Sequence, residues 1–117
     1  MKVSEAIKRA DMMRPNAIDD RVKAAWAYEL EGSLCETFMI DEAPKNTYPD
    51  QDAELLMPYP RDEIYPLYLC AMIDNAQEET ALYANDMVLA NSAISEARAW
   101  WWRNHGTPPK KRVRCWP

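Results

Sequence analysis

His105 is the single histidine of this 117-residue chain. A histidine beside a serine or cysteine nucleophile would suggest acyl transfer, but no such motif surrounds it. Its place just before Gly106 suits the foot of a helix, where a cation interacts well with the dipole. Cys35, Cys70 and Cys115 are odd in number and lack short metal-type spacing, so they form neither a disulfide framework nor a zinc site and read as buried or idle thiols. Asp41, Glu42, Asp50, Asp52 and Glu54 raise the question of calcium. They lack the alternating ligand spacing and central glycine of a calcium loop, and read as a solvated acidic stretch. With Gly32 and Gly106 the only glycines, nothing can cradle a phosphate. No catalytic residue, metal or cofactor is expected, and the chain does not read as an enzyme.

What remains is binding chemistry. Trp100, Trp101 and Trp102 are consecutive, and neighbours on a helix point about 100° apart, so the three cannot share one core. Trp101 continues an apolar stripe, Trp100 flanks it, and Trp102 falls beside Arg98 and Ser95. Trp102 either lies over Arg98 as a local cation–π pair or packs into another subunit. The second reading is favoured, because Trp116 poses the same problem and exposed tryptophan and arginine are enriched at interface centres.

The formal net charge of −5 argues against a general nucleic-acid binder. The distribution is uneven: residues 41–54 carry a local net of −4 and residues 106–117 a local net of +4, from Lys110, Lys111, Arg112 and Arg114. Opposite signs in separate segments suit self-assembly. The candidate contact residues are therefore Trp100, Trp102, Lys110, Lys111, Arg112, Val113, Arg114 and Trp116, with Tyr48, Asp50 and Asp52 on the acidic side. The alternative is a small nucleic-acid-binding or regulatory protein using the basic C-terminal tail.

These residues are positioned by an all-α chain of about four helices. Val3–Met13 reads as the first, with Ser4 as cap and Val3, Ile7 and Ala10 on one face, stopped by Arg14-Pro15-Asn16. A second, capped by Asp19, runs to about Met39 on a stripe of Val22, Trp26, Leu30, Leu34 and Phe38, despite the helix-weakening Gly32. Residues 41–61 form a long Pro-rich acidic loop in which Leu55-Leu56-Met57 suits a short extended segment. A third helix opens with Asp62 as cap, and from Ile64 to Ile73 it carries no charge on any face, so it belongs at the centre.

No glycine or proline interrupts residues 67–105, which as one helix would span about 58 Å at roughly 1.5 Å per residue. That is too long for a domain of this size, so a helical hairpin turning near Gln77 to Thr80 is expected. On its second arm Tyr83, Met87, Ala90, Ile94, Ala97 and Trp101 make a stripe that Leu82, Leu89, Ala93 and Trp100 widen, with Asp86 off it. The helical domain ends at residue 105, and 106–117 is an extended basic arm closed off by Gly106 and Thr107-Pro108-Pro109. The N-terminus lacks the apolar block of a signal peptide and no run is long enough to span a membrane, so a soluble, intracellular protein is expected.

Arg9-Ala10-Asp11 and Arg14-Pro15-Asn16 near the start, Leu55-Leu56, Pro58 and Asp62-Glu63-x-Tyr65 before the third helix, Ile73-Asp74 within it, and Tyr83-x-Asn85-x-Met87, Asn91-x-Ala93 and the tryptophans in the fourth form an ordered series. In that order the chain resembles the small head-tail connector, or adaptor, proteins of tailed phages and prophages. The resemblance implies a virion structural protein of the neck, present in the host cytoplasm during assembly. It implies a homo-oligomeric ring under the portal protein, facing the next neck or tail-completion protein. It further implies no enzyme activity, no membrane contact, and DNA passing through without specific binding. Relatives commonly have a glycine at the hairpin turn where this chain has Gln77-Glu78-Glu79, which leaves a longer continuous helix open, and the triple tryptophan is heavier than their usual aromatic pair.

Overall fold

Four α-helices and no strand make up the computed structural model, which describes residues 1–38 and 53–105. They are α1 (Val3–Met13), α2 (Asp20–Thr37), α3 (Ile64–Ala76) and α4 (Thr80–His105), with a 3₁₀ turn over Arg61–Glu63. Tyr48, Asp50, Asp52 and Gly106, and the arm from Lys110 to Trp116, lie outside the described residues.

The apolar, charge-free run Ile64–Ile73 becomes the centre of the molecule. Ile64, Tyr65, Leu69, Cys70, Ala71 and Ile73 are buried, and α3 packs against each of the other three helices. The hairpin turn falls at Gln77–Glu79, so the long helix is broken there. Glu78 takes the left-handed conformation (φ 60°) in which a glycine would be unstrained. The turn closes on α3 through the Gln77 and Glu79 N–H groups, which donate to the carbonyls of Ile73 (3.0 Å) and Asp74 (2.9 Å).

The cap of α1 is not Ser4, which lies inside the helix. Lys2 occupies the cap position, and its N–H donates to Glu5 Oε1 (2.8 Å), one half of a capping box. Asp19 does cap α2, accepting from Arg21 N–H at 2.8 Å. Asp62 is no cap either. It is buried, and its Oδ2 lies 3.7 Å from the Met1 amino group. The extended segment expected at Leu55-Leu56-Met57 lies earlier, at Ala53 to Leu55, which pairs with the start of the chain around a Lys2–Glu54 bridge, and the backbone bends at Leu56 and Met57: Val3 N–H donates to Ala53 O (3.1 Å) and Leu55 N–H to Met1 O (2.9 Å). That pairing puts Leu55 and Met57 into the core.

Besides Asp62 and Asp74, three charged side chains turn inward. Lys23, not its neighbour Val22, is the buried residue at the start of α2: its side chain is 2 % exposed, whereas Val22 is 43 % exposed. Its ammonium donates to Asp11 Oδ1 (2.7 Å) and Asn16 Oδ1 (3.1 Å) and lies 3.2 Å from Asp20, so the charge is matched where it is buried. Asp86, placed off the stripe by periodicity, is also buried, because Arg14 reaches across from the end of α1 and donates to both of its oxygens at 3.1 Å. Glu31 is the third. Its carboxylate accepts from the Tyr65 hydroxyl (2.7 Å) and Leu56 N–H (2.6 Å), and burial, opposed by those two bonds, raises its pKa.

Candidate functional site

The C-terminal turns of α4 carry the aromatic residues, and their partner is the residue that ends α2. Phe38 stacks on Trp101 with ring centroids 4.7 Å apart and meets Trp102 edge-on at 5.2 Å. Trp101 is sandwiched, since the His105 ring stacks on its other face at 3.7 Å. Spacing of four along the helix makes that possible, and it puts His105 Nδ1 at 3.2 Å from the Trp101 carbonyl oxygen. His105 is thus held against its own helix end.

Trp102 does not lie over Arg98. It stays on the side of α4 that its position dictates, and Phe38 comes to meet it there. The cation–π pair forms elsewhere, with the Arg61 guanidinium carbon 5.9 Å from the Trp100 ring centroid. All three tryptophans are half-buried and pack against the core from its edge. The Nε atoms of Arg61 and Arg98 are buried with no hydrogen-bond partner among the described residues. The result is an open aromatic end, with Trp100, Trp101 and Trp102 each partly exposed to solvent.

The connectivity gives this end its interest. Phe38 is the last described residue before segment 39–52, which holds Tyr48, Asp50 and Asp52, and His105 is the last before segment 106–117, which holds Lys110, Lys111, Arg112, Val113, Arg114 and Trp116. The acidic and the basic segments therefore leave the helical body from one aromatic cluster. Trp100 and Trp102 point to different sides of α4, Trp102 against Phe38 and Trp100 beneath Arg61. The partner that sequence reading missed is Phe38, counted there as one more member of the α2 stripe.

Nothing else in the described body has the look of a reactive centre. No group of three or more His, Cys, Asp or Glu able to hold a metal occurs among the described residues, and none of their helices is long and apolar enough to cross a membrane. Cys35 and Cys70 are buried, and burial pushes the Cys70 thiol up to about 11, away from the reactive thiolate. The one strongly perturbed acid is Asp74. Burial, then the adjacent Asp86 carboxylate, raise it to about 6 against the opposing pull of Arg14, whose Nε lies 3.2 Å from its Oδ1. This carboxylate pair lies at the junction of α1, α3 and α4, where Arg14 ties the three helices together. No family model, curated protein or solved structure matches the chain.

Proposed function

We propose that this chain is a head-tail connector subunit that assembles as a ring under the portal of a tailed phage or prophage and links the capsid to the next neck or tail component. The observation that carries the reading is the shared root, at one half-open aromatic cluster, of two segments of opposite charge. A subunit that closes a ring needs two different surfaces that fit one another, and an acidic segment meeting a basic neighbour supplies the attraction and the register. Residues 41–60 act as the acidic contact loop and 106–117 as an extended arm to the next copy or to the portal.

The ordered motifs support the same reading, and several of their residues have a common job in the fold. Asp11, Arg14, Asn16 and Asp74 are the polar ties between α1, α2 and α3–α4. A net charge of −5 suits a channel through which DNA moves without sticking.

Co-sedimentation with DNA-filled heads lacking this protein tests the reading, using the intact chain and a variant without residues 106–117. Binding of the intact chain in a fixed ratio to the portal, lost on deletion, is the expected result. Failure of both forms to bind heads, with a salt-sensitive shift of duplex DNA by the intact chain alone, would replace the connector by the nucleic-acid-binding alternative.

A further inference from the structure

The apolar stripe of α4 is wider than the surface α3 covers. Leu82 and Leu89, one helical repeat of seven apart and on the same flank, are 39 % and 57 % exposed. Beside them, α3 and α4 leave a groove of about 410 Å³ lined by Glu63, Leu67, Leu89, Ser92, Ala93 and Glu96. The floor is aliphatic and the rim acidic. No cation of the described residues lies within 4 Å of either rim carboxylate. Arg61, the nearest candidate by sequence, is drawn instead over Trp100.

We infer that this groove is the receptor for the basic C-terminal arm of a neighbouring copy, with Lys110 to Arg114 against Glu63 and Glu96 and the apolar Val113 and Trp116 against Leu67 and Leu89. The inference rests on the ring reading above and names the contact that would close the ring.

Charge complementarity favours this occupant, and the arm is long enough to reach it. The arm has four cations among its residues 110–114, interleaved with Val113 and followed by Trp116, the mixture that an acid-rimmed aliphatic groove accepts. Its 12 residues extend to at most about 40 Å at roughly 3.3 Å each. The groove lies on α4 about 14 to 24 Å before the arm's root at roughly 1.5 Å per residue. Arm and groove belong to different stretches of the chain, and contact between different surfaces of identical copies is the head-to-tail kind that closes rings.

The test uses the full chain carrying the photo-crosslinking residue p-benzoylphenylalanine in place of Leu89, mixed with an equal amount of unmodified ¹⁵N-labelled chain. It is irradiated both free at high concentration and bound to heads, and crosslinked peptides are identified by mass. The expected product joins residue 89 to a ¹⁵N-labelled peptide from 110–117. Glu63→Lys with Glu96→Lys lowers its yield roughly tenfold, by turning attraction to four cations into repulsion, and Lys110→Glu with Lys111→Glu on the labelled partner restores it.

Head binding in a fixed ratio without this crosslink would overturn the groove assignment and leave the connector reading standing. Crosslinks only within one chain would overturn it equally, the arm then covering its own groove. An inter-copy arm crosslink in protein that binds no heads would keep the assignment and remove the connector.

Discussion

The two ends of α4 do opposite things with residues that dislike being left alone. Near its start, Asp86 and the neighbouring Asp74 share one cation, Arg14, inside the chain. Near its finish, about 22 Å further along at roughly 1.5 Å per residue, three tryptophans meet Phe38 and His105 and still present surface to solvent. A buried ion-paired seam of this kind holds helices in place from within the chain. A half-covered aromatic cluster gains from a partner, because each ring still has apolar area to bury. On the connector reading proposed above, the contrast separates the residues that make the body from those offered to a neighbour.

The closed end breaks most severely at Arg14. Arg14→Ala leaves two buried carboxylates without their cation and is expected to cost about 3–5 kcal/mol in urea unfolding at pH 7. The loss shrinks on acidification, as the carboxylates become neutral. A loss below about 1 kcal/mol at pH 7 would mean that the seam is not the tie described here.

Asp74 sharpens the same end through pH. Its pKa rises from 3.8 to about 6 on folding, so between those values the folded state binds more protons than the unfolded. Stability contributed by Asp74 is then full below pH 4 and falls as pH rises toward 6, by at most about 3 kcal/mol for two units. Asp74→Asn is expected to remove that fall, read as the difference between the two pH–stability curves. Parallel curves would contradict the placement of Asp74 in a shared carboxylate pair.

Two backbone changes act more gently and leave the aromatic end untouched. Glu78→Gly relieves a left-handed residue in the turn beside Asp74 and is expected to raise stability by about 1 kcal/mol. Gly32→Ala on α2 is expected to add up to about 1 kcal/mol, as nothing lies within 4 Å of the added methyl. Both variants should bind heads as the parent does, showing that body stability and binding are separable.

Helix positions were legible because they depend on local signals. Pro15, the Asp19 cap and the uncharged Ile64–Ile73 run act within a few residues of themselves. Periodicity was least reliable where burial depends on a distant partner. Asp86 is inside because of Arg14, 72 positions away, and Lys23 because Asp11 and Asn16 fold over it. Leu82 and Leu89 show the converse: spacing gives the width of an apolar stripe, and only the fold shows how much of it a neighbouring helix covers. The tryptophan cluster was visible as a problem of three rings on one helix, while its answer, Phe38, could come only from how α2 ends. The acidic and basic segments were legible as charge alone.

The measurement that bears most directly on this division is head binding by Trp102→Ala, followed together with its thermal unfolding. The account predicts a folded variant, destabilised by no more than about 2 kcal/mol because the ring is only half-buried, whose affinity for DNA-filled heads falls at least about tenfold, as expected for an interface anchor. A variant that folds and binds heads as tightly as the parent would contradict it, and would make the open aromatic end no more than the edge of the core.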